Sequence, residues 1–304
     1  MKRLLLLVDD RSYIRSNCYQ HQLATTLARY YRVRMLSTWE LQFAPLVRVG
    51  AYDRVLSVLR LRTLVRVADQ LARLLGERPL YVYEQDVWQA FMDDSPYKDA
   101  YGQLAKQLNV AAFLVTSGWW RRFVAERGLP ARFVRMGMLP EYCDAGPAWE
   151  ARPIRLGFQG TLHLHRQAFY RELARRGLEV EVLSPGPYEA YLRNLHRMRI
   201  YVHTEDAPWC VDGRMLRRNA LWIKETEIAA RGTFVIRDAE EESDAYGIAE
   251  LPTVMPFSSP EAVGEIVARI EAMDPRERRE RMVASAETMR RRDDWMTVVR
   301  AMET

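Results

Sequence analysis

Residues 3–8 read Arg-Leu-Leu-Leu-Leu-Val, an apolar run without polar alternation that Asp9-Asp10 ends abruptly. A strand with one wet face alternates in polarity. An unbroken run is therefore expected to be a strand covered on both faces, as in a parallel sheet flanked by helices. Short apolar runs recur at 33–36, 54–58, 80–83, 111–115 and 133–135, separated by helical spacing at 16–31, 59–75, 96–108 and 119–126. Within 59–75, Leu61, Leu64, Val65, Ala68, Leu71 and Leu75 share one face, and Gly76 follows as a C-cap. Strands alternating with helices in this way specify βαβ units, whose crossovers are right-handed and whose ligands sit at the carboxyl ends of the strands.

The alternation breaks once, over 144–153, where Gly146, Pro147 and Pro153 mark a linker. It then restarts with strands at 154–158, 180–183, 200–203 and 233–236. The helices expected here are 166–176, 188–197, 221–231 and 260–273, followed by terminal helices at 276–289 and 295–302. A chain of 304 residues suits two domains, each large enough to bury a core. The expected division is a first domain over 1–147, a second over 148–275, and terminal helices over 276–304.

The net charge is +5, and lysine occurs only as Lys2, Lys98, Lys106 and Lys224, the remaining cations being arginine. Arginine suits bidentate phosphate recognition, although a compositional bias for Arg over Lys accounts for the same numbers. Cys18, Cys143 and Cys210 are odd in number and widely spaced, which argues against a disulfide framework or a structural zinc site and for a reducing, cytoplasmic setting. The apolar start is too short for a signal peptide, and no stretch approaches a membrane span.

Four places can carry chemistry. In Lys224-Glu225-Thr226-Glu227, a cation and an acid three positions on share a helix face, followed by Gly232 and a strand. Helix amides at that opening can receive a diphosphate, and a carboxylate can accept both hydroxyls of a ribose; a surface i,i+3 ion pair has the same spacing. Gly157-Phe-Gln-Gly160-Thr161, with a helix starting near Arg166, is either a phosphate-approaching glycine turn or simply a tight βα turn. No GxGxxG is present, and His163 and His165 lack a third ligand nearby, so no metal is expected. Glu84 and Asp86 follow a strand and suit a general base or a group stabilising an oxocarbenium-like transition state, while Asp86 also suits a helix N-cap. Asp9-Asp10-Arg11-Ser12, with Arg15 and Asn17, forms a loop that can hold an acceptor or merely be solvated.

Together these segments resemble the glycosyltransferases of the B fold, in particular the large retaining family with an E-x7-E signature and its spore-coat-maturation (CgeB-like) branch. Lys224-x-x-Glu227-Ile-Ala-Ala-Arg-Gly232 looks like that branch's pattern. Ser117-Gly-Trp119 is similar to the S-x-W segment of the first domain, Met136-Gly137-Met-Leu-Pro to the turn that closes it, and Gly157-Phe-Gln-Gly160 with Arg166 to the opening of the second. The chain departs from the family where the first Glu of E-x7-E would fall, at Asn219, and where Glu84-Gln85-Asp86 replaces the usual histidine.

The resemblance implies an α/β fold of two Rossmann-like domains with parallel sheets facing a central cleft, an acceptor-side first domain and a nucleotide-sugar-binding second one. The terminal helices would pack back toward the first domain. It implies an enzyme that moves a sugar from a nucleotide-diphosphate donor, UDP-linked, to a hydroxyl acceptor with no metal or other cofactor, with retention, or with inversion where a carboxylate of Glu84-Gln85-Asp86 serves as the base. Glu227 would bind the ribose, with Glu225 beside it. Lys224 and Arg166 would neutralise the diphosphate, Gly160 and Thr161 would give the donor room, and Asp86 or Glu84 would act at the reacting centre. The acceptor is left open among a saccharide, a small molecule and a modified nucleic acid. A nucleic-acid base glycosyltransferase and a non-catalytic two-lobed sugar- or nucleotide-binding protein are the other readings.

Overall fold

A computed structural model describes residues 1–10, 18–41, 43, 48–84, 87–205, 207–217, 223–238 and 243–304. The chain divides into two compact units. The first comprises Met1–Met136, Trp209–Leu216 and Asp294–Thr304, and the second Gly137–Pro208 and Arg217–Asp293.

In chain order the first unit begins with β1 (Lys2–Val8), α1 (Cys18–Tyr30), β2 (Tyr31–Ser37), β3 (Arg54–Ser57), α2 (Leu61–Arg66), α3 (Ala68–Leu75) and β4 (Leu80–Glu84). It continues with α4 (Ala100–Gln107), β5 (Val110–Val115), α5 (Gly118–Glu126) and β6 (Ala131–Phe133). The six strands form one parallel sheet in the order β2-β1-β3-β4-β5-β6. Leu4 through Val8 are at most 1% exposed, which is why β1 carries no alternation. The single helix expected over 59–75 is two: Val67, β-branched, takes φ −104° and ψ 9° between α2 and α3. Ser117 caps α5, its Oγ accepting from the Trp120 amide at 3.1 Å.

The second unit has β7 (Ile154–Gln159), α6 (Leu164–Arg175), β8 (Glu181–Leu183), α7 (Tyr188–Leu195) and β9 (Met198–His203). A two-stranded ribbon follows, β10 (Pro208–Val211) and β11 (Arg214–Arg217), most of which lies in the first unit. Then come α8 (Ile223–Ala230), β12 (Phe234–Asp238), α9 (Ser243–Tyr246), β13 (Val254–Phe257), α10 (Pro260–Glu271) and α11 (Pro275–Arg291), while α12 (Met296–Glu303) belongs to the first unit. The second sheet is parallel, in the order β13-β12-β9-β7-β8.

Three elements had no counterpart in the sequence reading: the short helix α9, the edge strand β13 and the ribbon β10–β11. Pro256 lies inside β13, and a proline cannot donate to a ladder; β13 is at the sheet edge, where that loss is tolerated. The ribbon β10–β11 turns at Asp212-Gly213, both at positive φ (51° and 71°), the combination a two-residue hairpin turn requires. Asp93 holds this turn, accepting from the amides of Asp212 and Gly213 at 3.1 and 2.8 Å. Its carboxyl is held well below the usual range, first by Lys98 and then by the Gly213 amide.

The segment 144–153, expected as a linker, lies within the second unit. Gly232 closes α8 in a Schellman arrangement: the Thr233 amide reaches the Ile228 carbonyl at 3.2 Å and the Gly232 amide the Ala229 carbonyl at 2.9 Å. Gly232 has φ +61°, and a β-carbon there would lie 2.8 Å from the backbone Cα of Ala145. Gly232→Ala therefore adds left-handed strain to a clash with backbone, and should cost about 2 kcal/mol or more in denaturant unfolding.

Candidate functional site

The carboxyl end of β7 and the first turns of α6 and α8 meet around the ring of Phe158. The Lys224 ammonium lies 5.0 Å from the ring centroid and the Arg166 guanidinium 5.4 Å. The His203 ring stacks on it at 5.9 Å with an interplanar angle of 11°. Gly160 leaves β7 at φ +151°, and a β-carbon on it would stand 2.8 Å from Lys224 Nζ. The glycine thus clears the space in which the lysine sits. His163 precedes α6 without a side-chain cap, so the opening amides of that helix are not closed off by it.

Lys224 is desolvated here, and Arg166 adds a second positive charge; together they bring its ammonium down to about 8. The carboxylates whose fields oppose this are bonded elsewhere. Glu205 pairs with Arg166, and Glu225 takes Arg237 Nη1 at 2.7 Å. One turn beyond Lys224, Glu227 is 3% exposed and accepts from Tyr188 Oη at 2.7 Å. Burial lifts its carboxyl to about 7, against the smaller opposing effects of the Tyr188 bond and Lys224.

Beneath these groups runs a buried ionic network. Arg166 donates to the Thr204 carbonyl at 3.2 Å and the Thr161 carbonyl at 2.8 Å as well as to Glu205. His203 Nε2 lies 2.8 Å from Glu205 and 4.0 Å from Glu225. Its ring is driven down to about 3, first by burial, so it is neutral at physiological pH. The Glu205 amide donates to Asp238 at 3.0 Å.

The second unit therefore brings Gly160, Arg166, Lys224 and Glu227 together. Glu225 sits beside them, fully buried, but its carboxylate faces Arg237 rather than an opening. The Thr161 side chain is exposed, while its carbonyl orients Arg166. His163 and His165 stack on each other at 5.9 Å, and among the described residues no group of three His, Cys, Asp or Glu is arranged to hold a metal. In the first unit Glu84 ends β4 at 5% exposure, and Asp9 accepts from Arg60 N and Nε at 3.1 and 3.2 Å. Asp86, Asn219 and the loop residues Arg11, Ser12, Arg15 and Asn17 lie outside the described residues.

The sequence reading missed Glu205, Tyr188 and Phe158. Glu205 lies two residues beyond the end of β9, and strand carboxyl ends are where such groups belong. Nothing local marked Phe158 or Tyr188 as more than core aromatics.

The buried Glu227 carries a pH signature. An acid whose folded value is raised contributes stability that is complete below about 4.5 and is lost as pH rises through about 7. The loss is about 3 kcal/mol. Glu227→Gln should flatten the fall in melting temperature between pH 5 and 8, and an unchanged fall would contradict this placement.

No protein-family model matches the chain, and no curated protein sequence matches it. Solved structures do. HepE from Anabaena, in complex with UDP and glucose, aligns with a TM-score of 0.62 at 13% identity, covering 99% of this chain and 98% of that one. Sucrose-phosphate synthase from Thermosynechococcus elongatus aligns at 0.62 and 12% identity, with the same coverage of each chain. The T4 phage BGT mutant in complex with UDP-glucose aligns at 0.62 and 8% identity, covering 99% of this chain and all of that one. The chain thus has the α/β fold of the B-type glycosyltransferases. Among the described residues no helix is long and apolar enough to cross a membrane.

Proposed function

We propose that the chain is a cytoplasmic glycosyltransferase that transfers a sugar from a nucleotide-diphosphate donor to a hydroxyl acceptor without a metal. One observation carries the reading: a desolvated lysine lies over Phe158 in space that Gly160 leaves open, with a buried carboxylate one turn away. A desolvated cation not bonded to a carboxylate suits an incoming diphosphate, which restores its charge partner. It also suits the chemistry. When the anomeric C–O bond breaks, the diphosphate gains negative charge, and a preorganised cation in a dry site stabilises that charge most.

Glu227 is positioned for a sugar hydroxyl of the nucleoside, since an ionised carboxylate accepts two O–H donors. Arg166 acts at one remove: bonded to Glu205 and two carbonyls, it sets the field on Lys224. The complexes of HepE and BGT with UDP or UDP-glucose support a uridine donor. The Lys224-x-x-Glu227 pattern supports placing the chain with the CgeB-like branch, whose relatives retain configuration.

A thermal-shift screen of nucleoside diphosphates and nucleotide sugars, followed by an assay of UDP release from the sugar that binds, tests this. Stabilisation by UDP and slow UDP release are expected. No shift with any nucleotide at 1 mM would overturn the reading (about 1 mM is the weak end of specific affinity).

A further inference from the structure

Buried charges crowd the carboxyl ends of β9 and β12. Glu205, Glu225, Arg166 and Arg237 are each at most 6% exposed, and Asp238 stands beside them half-buried. Arg237 is the penultimate residue of β12. Its Nη1 donates to Glu225 Oε1 at 2.7 Å, its Nε donates to the Asp238 carbonyl at 2.7 Å, and its Nη2 lies 3.6 Å from Asp238 Oδ2. The neighbours of Glu225 decide what its carboxylate would do without that guanidinium. The same Oε1 lies 4.0 Å from His203 Nε2, and the His203 ring stacks on Phe158, over which Lys224 lies. Glu225 is also next to Lys224 in the chain, and its field already acts on that ammonium, opposing burial. A carboxylate stripped of its cation inside a protein takes another cation within reach or is strongly destabilising. His203 is held neutral by burial, and Arg166 is bonded to Glu205. The ammonium of Lys224 is the cation that Glu225 would then take.

We infer that Arg237 is a positioning residue of the nucleotide site: by holding the Glu225 carboxylate it keeps that carboxylate from closing on Lys224, so that the lysine is available to a diphosphate. Arg237 acts only through Glu225. The bond at 2.7 Å is charge-assisted and buried on both sides, which is the setting in which such a bond is strongest. The inference rests on the nucleotide-sugar reading for the diphosphate, but not for the competition between Arg237 and Lys224 for Glu225.

The test compares the full chain as wild type, Arg237→Met, Arg237→Met/Glu225→Gln and Arg237→Met/Lys224→Met, by calorimetric titration of UDP and by melting without ligand. Arg237→Met should weaken UDP about tenfold or more, because the diphosphate then binds only the fraction of molecules in which Lys224 is released. Adding Glu225→Gln removes the competing charge and should return the affinity to within about threefold of wild type. A merely structural arginine predicts no such recovery. A double variant as weak as Arg237→Met, or Arg237→Met with wild-type affinity, overturns the inference. The melting readout needs no nucleotide. Lys224→Met should raise Tm in the wild-type background and lower it in the Arg237→Met background, where it takes from Glu225 its remaining cation. An equal rise in both backgrounds overturns the inference. If Arg237→Met does not fold, Arg237→Gln, which keeps an N–H donor toward Glu225 without the charge, replaces it in every comparison. If the Tm effect changes sign while wild type binds no UDP, the role of Arg237 toward Glu225 stands and the nucleotide reading fails.

Discussion

Replacing Lys224 by methionine should lower kcat/KM for the nucleotide sugar at least 100-fold while making the protein more stable. Removing one preorganised group that stabilises developing charge costs about 10²–10³ in rate, and Lys224 lies over Phe158 while the nearby Glu205 and Glu225 are bonded to Arg166 and Arg237. The stability gain has the same origin. Burial and the neighbouring Arg166 depress the ammonium to about 8. A lysine depressed in this way loses stability for the fold as pH drops from its ordinary 10.5 to about 8, and the full penalty is present at neutral pH. Methionine keeps the stem's packing and removes the charge, recovering about 3 kcal/mol, or several degrees in Tm. The gain should disappear above pH 10.5, where the lysine is neutral in both folded and unfolded chains. Scanning calorimetry at pH 7 and 11, with turnover measured on the same preparations, checks both halves. A destabilised variant at pH 7, or one with wild-type turnover, would refute the assignment.

The largest loss of stability should come from Arg152, which has no part in the chemistry. Its side chain is fully buried and donates only to neutral oxygens: the carbonyls of Ala145 (2.7 Å), Met198 (2.9 Å), Arg231 (3.3 Å), Leu195 (3.4 Å) and Pro147 (3.4 Å), and Thr233 Oγ1 (2.7 Å). This one guanidinium therefore ties the segment before β7 to the starts of β9 and β12. Burial brings it down to about 10, still fully charged at neutral pH. Arg152→Met strands several buried carbonyls, each costing about 1–3 kcal/mol when left unmet. A total near 4 kcal/mol is expected, short of the simple sum because the segment can relax. Arg155→Met is the control. Arg155 pairs with Glu271 on the surface, the arginine side chain being half exposed, and its loss should cost under about 1 kcal/mol. Equal destabilisation by the two variants in urea would disprove the role given to Arg152.

What the sequence disclosed follows from the range of the forces involved. The fully covered strands were legible because burial on both faces removes alternation, as in residues 3–8. The closure of α8 was legible because only glycine accepts φ +61° there. Lys224 and Glu227 could be paired because three residues on a helix share a face. Partners far apart in the chain left no such mark. Glu205 stands 39 residues from Arg166, and the oxygens that hold Arg152 lie up to 81 residues away. Local rules also misled. Pro256 concealed an edge strand, and the continuous apolar spacing of 59–75 gave no sign that Val67 divides it. Glu225, placed beside the ribose by the family resemblance, turns toward Arg237 because consecutive helix residues point in different directions.

The central claim is that Lys224 and Glu227, beside Gly160, receive the diphosphate and ribose of a nucleotide. Isothermal titration of UDP into wild type, Lys224→Met and Glu227→Gln at pH 7.5 tests it most directly. One site per chain with micromolar affinity is predicted, weakened at least 30-fold by either substitution, roughly the loss of one charge-assisted interaction of about 2 kcal/mol. Equal affinity in all three proteins, or no heat with wild type at millimolar UDP, would contradict it.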